Sequence, residues 1–225
     1  MRVSPPTDIP VPSIDFLAGL IAGAGLSVPQ PAMEKLVDHA REMLRWNRSI
    51  RLTAITEPAD VAVKHILDSL LLLRFAPFPG RILDFGSGAG YPGIPLAVVL
   101  PGSRFLLLES SGKKCAFLSH ILRRLSLANV EVVKARLETN RRLPIGTFGH
   151  IVTRATAPSE EAVTVLRPYL ASAGRILLMK GPGKGRKKSP GEKGCFPPED
   201  IRERTVRFEL PLRMGFREIR EIRVP

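Results

Sequence analysis

The sequence is poor in cysteine, in acidic residues and in long apolar runs, and each shortage narrows what the chain can be. Only two of its 225 residues are cysteine, Cys115 and Cys195. They lie far apart with no metal-like spacing, so they read as free thiols in a reducing cytosol. No Cys, His, Asp and Glu cluster has ligand spacing, and no Ser-His-Asp arrangement or catalytic dyad stands out, so no metal is expected. No run approaches the ~20 apolar residues of a membrane span. The patch "FLAGLIAGAGL" at 16–26 has the look of an export signal, but Asp8 and Asp15 precede it and Arg2 is the only basic residue there. It reads as a helix. Asp and Glu number 21 against 34 Lys and Arg, which leaves a net charge of +13 and a pI near 10.5. Such a charge attracts polyanions, nucleic acid first; no strongly basic amphipathic helix supports a membrane surface instead.

What is present can build a core, since 44% of residues are hydrophobic. Phe16, Leu17, Leu20 and Ile21 fall at helical spacing, and Gly23 and Gly25 end that helix. Met33, Leu36, Val37, Ala40, Met43 and Leu44 mark a face of a second helix, with Trp46 as an expected core anchor. A third helical run extends from about Asp60 to Phe75, with Pro58 near its start. After Pro79-Gly80 the pattern alternates. "RILDF", "RFLLLE", "VEVVKA", "HIVTRA" and "GRILLMKG" read as strands, and "KKCAFLSHILRRLSL" and "SEEAVTVLRPYL" as helices. This predicts a mostly parallel sheet covered on both faces. "TVRFELP" and "FREIREIRV" have no helix between them and predict an antiparallel hairpin at its edge. The expected plan is a helical extension over 1–78, then an α/β domain over 79–225 with a basic loop at 181–198.

The stretch "ILDFGSGAGYPGIP" at 82–95 carries the chemistry. Glycines let a backbone approach a ligand closely, and Pro92 suits the start of a helix whose free N–H groups would face that ligand. Gly88 to Gly93 satisfies G-x-G-x-x-G, a weak signal alone. Asp84 separates two ligand classes. It would repel a dinucleotide's pyrophosphate, whereas the ammonium and sulfonium of S-adenosylmethionine would gain from it. Glu109 ends the next strand, nineteen residues after Gly90, where an acid accepts from both hydroxyls of a ribose. "GPGKGRKKS" is no phosphate loop, because Gly185 follows Lys184.

"RLTAIT", "KHILDSL", "DFGSGAGYPGIPLA", "LLLESSGKKCAFL", "ARLE", "TRA" and "LMKG" occur in that order. Together they closely resemble the bacterial small-subunit ribosomal RNA methyltransferase G family, from about residue 20 to 181. The resemblance implies a class I S-adenosylmethionine-dependent methyltransferase: a Rossmann-like, mostly parallel seven-stranded sheet with an antiparallel edge hairpin and an N-terminal helical cap. It implies methyl transfer to N7 of a guanosine in 16S ribosomal RNA, with S-adenosylhomocysteine as product. Gly86 and Tyr91 match donor-contact positions, Leu137 and Glu138 the place that holds adenine, and Arg154 a position beside the donor. Ser87, Gly88 and Gly90 complete the expected donor turn. Arg51 stands where the family has asparagine, and Glu109 where it has aspartate.

Guanine N7 has no proton to lose, so positioning and electrostatics suffice for such a transfer. Arg154, His65 and Arg217 are the candidates for positioning, and Arg136, Arg154 and Arg217 are expected to meet at the carboxyl ends of the strands. His39, His120 and His150 read as ordinary residues. Lys64, Arg136, Lys184, Arg186, Lys187 and Lys188 are the candidate RNA contacts. A nucleotide-dependent oxidoreductase is opposed by Asp84, and a non-catalytic RNA-binding scaffold by the intact turn. A methyltransferase of another base or of protein stays open, although an N-P-P-Y type motif would then be expected where the chain has "TRATAPS". The expected setting is a cytoplasmic monomer acting on the 30S subunit or its assembly intermediate.

Overall fold

The computed structural model describes residues 9–138, 142–154, 159–181 and 202–223, without the side chains of 159–161. Cys195 and the candidate contacts Lys184, Arg186, Lys187 and Lys188 lie outside the described residues. The apolar runs after Pro79-Gly80 become β1 (Arg81–Phe85), β2 (Arg104–Glu109), β3 (Val130–Lys134), β4 (Phe148–Thr153) and β5 (Leu170–Lys180). With β6 (Arg202–Glu209) and β7 (Phe216–Arg223) they form one seven-stranded sheet in the order β3-β2-β1-β4-β5-β7-β6. The first five strands are mutually parallel, and β7 runs antiparallel to both β5 and β6. The edge hairpin is therefore as expected, and the strand order reverses direction between β1 and β4.

Side chains alternate between the faces of the sheet, so each strand serves two cores. Leu83, Leu106, Leu108, Ile151, Ile176 and Leu178 pack with Ala162, Val163 and Leu166 of α7 (Ser159–Leu166). On the other side, Leu107 packs with Phe117, Leu118 and Ile121 of α6 (Gly112–Arg124) and Ile94 of α5 (Gly93–Val99). The same core takes in Leu17 and Ile21 of α1 (Ile14–Gly23) and Leu36, Val37, Ala40 and Met43 of α2 (Gln30–Asn47). The N-terminal helices thus share apolar contacts with the sheet's own helices. Trp46 departs from expectation: it is half-buried and lies edge-on to Phe117 and tilted over His120, lining the core instead of anchoring it.

The third helical run begins with Pro58 at its first turn, where a missing N–H costs nothing. It is not one regular helix. α3 (Pro58–Val61) widens into a π segment over Ala62–Leu67, passes through α4 (Asp68–Leu70) and tightens to a 3-10 turn over Leu71–Phe75. The π segment coincides with "KHIL", and such widenings gather at functional sites.

Arg175 ties the far end of the sheet together. Its Nη1 donates to Glu221 on β7 at 3.0 Å, and its Nε to His150 Nδ1 on β4 at 3.1 Å. Nη2 donates to the Pro77 carbonyl at 2.6 Å and also to that of Phe75. Burial first, then the charge of Arg175, holds His150 down to about 4, which keeps its ring nitrogen free to accept. Arg175→Ala would leave the Phe75 and Pro77 carbonyls without this donor in a mostly buried setting, while Glu221 kept Arg223 at 2.9 Å. We expect it to lower stability to urea by ~1–3 kcal/mol, the cost of leaving buried acceptors unsatisfied. A loss below about 1 kcal/mol would show that solvent reaches those carbonyls.

Candidate active site

In an open α/β sheet the ligand crevice lies beyond the carboxyl ends of the strands, where their order reverses. Here that is the end of β1 beside the end of β4, joined by Thr153 Oγ1 donating to the Phe85 carbonyl at 2.8 Å. β1 runs straight into the glycine turn. Gly86, Gly88 and Gly90 have φ of +74°, +58° and +87°, a region that side chains disfavour. The turn folds back over β2, with Gly86 N–H and Ser87 N–H both donating to the Leu108 carbonyl, at 2.9 and 3.1 Å. Ser87 is buried, and its hydroxyl donates to the Asp84 carbonyl at 3.0 Å.

The glycines divide by what surrounds them. A Cβ on Gly86 would meet nothing within 4 Å, and one on Gly88 only the Gly86 carbonyl at 3.9 Å, so these two border open space. A Cβ on Gly90 would run into Ile94 at 2.6 Å, and one on Gly93 into Leu107 at 2.4 Å and Asp84 at 2.5 Å. Gly90 and Gly93 are bare because protein packs against them.

Asp84 is withdrawn from solvent. It is fully buried, and its Oδ2 accepts the Gly93 N–H at 3.0 Å. Pro92 sits just before α5 rather than in its first turn, and the first N–H of that helix is consumed by Asp84. The expectation that those N–H groups face a ligand is corrected. Burial pushes the Asp84 carboxyl up to about 7, against the Gly93 N–H and the charge of Arg154, which favour the anion. Glu109 is also buried and braces the turn from β2: Oε2 accepts Gly88 N–H at 2.9 Å, and Oε1 accepts Ser111 N–H at 2.8 Å. Two carboxylate oxygens accept about four hydrogen bonds, so capacity remains.

Tyr91 lies between two imidazoles, His39 of α2 at 4.5 Å and His65 of the π segment at 4.6 Å, with interplanar angles of 23° and 12°. His39 Nε2 is 2.8 Å from the Ala89 carbonyl, the sense of a donor to the turn. His65 Nε2 pairs with Thr53 Oγ1 at 2.9 Å, and Asn47 Oδ1 holds that segment by accepting Leu52 and Thr53 N–H. Burial keeps both rings neutral, His39 down to about 4 and His65 to about 3. His39, expected to be an ordinary residue, thus packs directly on the glycine turn of the candidate site.

Arg154, one residue past β4, donates through Nη2 to the Lys64 carbonyl at 3.0 Å and lies 3.4 Å from Asp68 Oδ2. Arg217 of β7 grips the same fully buried Asp68 with both prongs, Nε to Oδ1 at 2.5 Å and Nη2 to Oδ2 at 2.6 Å. The expected meeting of three arginines is therefore two, on one aspartate. Arg136 stays exposed on the segment after β3. Asp68 was missed as a functional candidate, although "KHILDS" sets it three residues after His65 on the inward helical side. Leu137 is buried against the α7 core and Glu138 is exposed. Lys64 Nζ is paired with Asp60 at 2.9 Å.

Among the described residues, the buried side-chain polar atoms without a partner are His39 Nδ1, His65 Nδ1, Asp84 Oδ1, Tyr91 OH and Arg154 Nη1. All five belong to this constellation. Buried polar groups are ordinarily paired, so such a cluster marks where a polar ligand is expected. A carboxylate oxygen, a guanidinium nitrogen and a phenol suit the ammonium and carboxylate of an amino-acid group. The open backbone at Gly86 and Gly88 leaves room to approach it. Among the described residues no group of three or more His, Cys, Asp or Glu could hold a metal, and no helix is long and apolar enough to cross a membrane.

Sheet order and glycine turn together define a methyltransferase of the class I fold. Two solved structures share the architecture: the O-methyltransferase TomG of Streptomyces achromogenes, in complex with SAM, and a SAM dependent methyltransferase from Aquifex aeolicus. TomG has a TM-score of 0.58 at 17% identity, covering 92% of this chain and 96% of that one. The Aquifex enzyme has a TM-score of 0.56 at 17% identity, covering 82% and 98%. The family model described as rRNA small subunit methyltransferase G matches residues 32–196. The chain is 38% identical over 178 residues to the ribosomal RNA small subunit methyltransferase G of Xylella fastidiosa (strain M23), covering 79% of this chain and 80% of the relative. The corresponding protein of Geotalea uraniireducens is 35% identical over 199 residues, covering 86% and 90%. The chain belongs to the rRNA small subunit methyltransferase G family, and with it to the S-adenosylmethionine-dependent methyltransferases.

Two outcomes follow for the ligand-free protein. A folded carboxyl raised to about 7 holds a proton that the unfolded chain releases near 3.8, so Asp84 makes stability fall as pH rises between those values. The neutral imidazoles act in the opposite sense: their contribution is present above pH 6.5 and lost as pH falls towards 4. Asp84→Asn removes the first effect, so its stability relative to the parent should improve from pH 4.5 to pH 7.5 by a few kcal/mol, on the order of 1.4 per shifted pKa unit. Parallel urea midpoints at both pH values would mean the carboxyl is not raised. Gly93→Ala should cost ~1–3 kcal/mol through overpacking. Gly88→Ala should cost about 1–2 kcal/mol of backbone strain and yet fold.

Proposed function

We propose that the chain transfers a methyl group from S-adenosylmethionine to N7 of a guanosine in 16S ribosomal RNA, acting in the cytoplasm as a monomer on the 30S subunit or its assembly intermediate. The observation that carries this reading is the convergence of unpartnered buried polar atoms on the glycine turn of a chain of this family. When bound, the donor supplies an electrophilic methyl on a sulfonium. Gly86, Ser87, Gly88, Gly90 and Tyr91 form its bed, and Asp84 and Arg154 offer opposite charges to its amino-acid end. Glu109 has lone pairs for the ribose hydroxyls, and Leu137 and Glu138 flank the adenine. His65 and Arg217 hold these groups in place: the first by stacking on Tyr91, the second by fixing Asp68 beside Arg154.

The reaction asks little else of the protein. Guanine N7 attacks with an in-plane lone pair and releases no proton, so no general base is needed. That agrees with histidines kept neutral by burial and engaged in stacking. Orientation in a preorganised site can supply the acceleration. The +13 charge supports a polyanionic acceptor, for which Lys64, Arg136, Lys184, Arg186, Lys187 and Lys188 are the proposed contacts. On RNA, Lys64 would exchange Asp60 for phosphate. Residues 1–78 serve in this reading as a helical extension of a catalytic domain at 79–225, with 181–198 as a phosphate-binding arm.

The test incubates the chain with tritiated S-adenosylmethionine and unmodified 30S subunits, with Gly88→Ala as control, then maps 16S RNA by borohydride–aniline cleavage at 7-methylguanosine. A single new cut that the control loses is expected. Donor binding without label in the RNA would sink the acceptor assignment. Calorimetry at pH 7 in buffers of differing ionisation enthalpy adds a second readout. A cation beside Asp84 should expel its proton, so donor binding should release on the order of half a proton.

A further inference from the structure

The turn between β6 and β7 has the wrong residues for its shape. Leu212 and Arg213 have φ of +57° and +56°, and Met214 N–H donates back to the Pro211 carbonyl at 3.2 Å. Left-handed central residues closed by such a bond make a type I′ turn, which favours Asn-Gly. Leucine in this conformation is an outlier, and arginine is little better. Packing does not select them. Leu210 is buried in the core at the base, with Met214 packed against it, which leaves the two central side chains at the tip. Leu212 is 55% exposed, the most exposed large apolar side chain among the described residues. Arg213 is exposed too and forms no ion pair among the described residues.

The position of the turn points to its use. β7 opens with Phe216 and pairs Glu218 with Lys180, at the carboxyl end of β5. The turn therefore stands at the end of the sheet that carries the candidate site, and closes three residues before the arginine that holds Asp68. Arg207 adds charge below it, its guanidinium 3.6 Å over the Phe216 ring, with Glu218 across the ladder and Glu209 opposite Phe216. A strained, protruding apolar tip next to cationic groups suits a nucleic acid, which offers base faces and phosphates together.

We infer that the Leu212-Arg213 tip is an RNA-contacting element of this enzyme, with Leu212 resting against an unstacked base and Arg213 on a neighbouring phosphate. The inference rests on the ribosomal RNA reading above. It assigns to the edge hairpin the task of holding the substrate loop open beside the site, and it accounts for two residues the turn would not otherwise choose.

The experiment replaces the tip by the sequence its backbone prefers, Leu212→Asn with Arg213→Gly, in the full chain. Relief of strain should raise Tm by on the order of 2–4 °C. The donor Kd measured by calorimetry should not change, while kcat/KM for unmodified 30S subunits should fall about tenfold or more. Arg213→Gly alone should also lower the slope of log affinity against log salt by about 0.7–0.9, one phosphate contact. A double variant that is more stable and methylates 30S as fast as the parent would overturn the inference. If the parent itself labels no ribosomal RNA, the failure lies in the reading beneath. Loss of stability in the double variant would also count against the inference, since it would show that packing selects Leu212.

Discussion

One buried carboxylate holds the site together. Asp68, with no exposure, receives a bidentate grip from Arg217 and lies 3.4 Å from Arg154. Its helix, the last strand and the segment after β4 are far apart in sequence and meet on its two oxygens. A lone carboxylate so buried would neutralise itself, and a lone guanidinium would be expelled; each makes the others tolerable. Because Arg154 meets the same carboxylate that Arg217 grips, the candidate site rests partly on the final strand, which contributes none of the glycine-turn backbone.

The aromatic sandwich works at the same junction from the other side. Tyr91 belongs to the turn, His39 to α2 and His65 to the π segment. Stacked rings fix orientation more firmly than apolar contact alone. Two helices outside the sheet therefore determine how the turn stands. The N-terminal helices do more than cover a sheet face, because their polar atoms and ring planes enter the site.

Much of this was legible in the residues. Strand and helix positions followed from hydrophobic periodicity, and the edge hairpin from two strand-like runs with no helix between them. The glycine turn announced itself, and its acid at Glu109 was placed by spacing along the next strand. What failed has a common cause. The burial of Asp84 and the use of its Oδ2 by the Gly93 N–H depend on how Gly93 packs, which no local pattern reveals. His39 looked ordinary because its partner Ala89 is 50 residues away. Arg136 was grouped with Arg154 and Arg217 by type, yet only two of the three reach Asp68. Trp46, expected to anchor the core, lies at its margin, where an amphipathic indole can sit.

The π segment over Ala62–Leu67 sets a length constraint on the family's history as well as on its shape. A π turn holds one residue more than an α turn, so it behaves as an insertion absorbed without breaking the helix. Removing one residue there would close the helix to regular geometry and take away the widened turn that presents Lys64 and His65, while the flanking residues kept their faces. Lys64 and His65 would then leave Arg154 and Tyr91 while Asp68 kept its place. Relatives that share this site should therefore conserve the count of residues between Pro58 and Asp68 more strictly than the residues themselves.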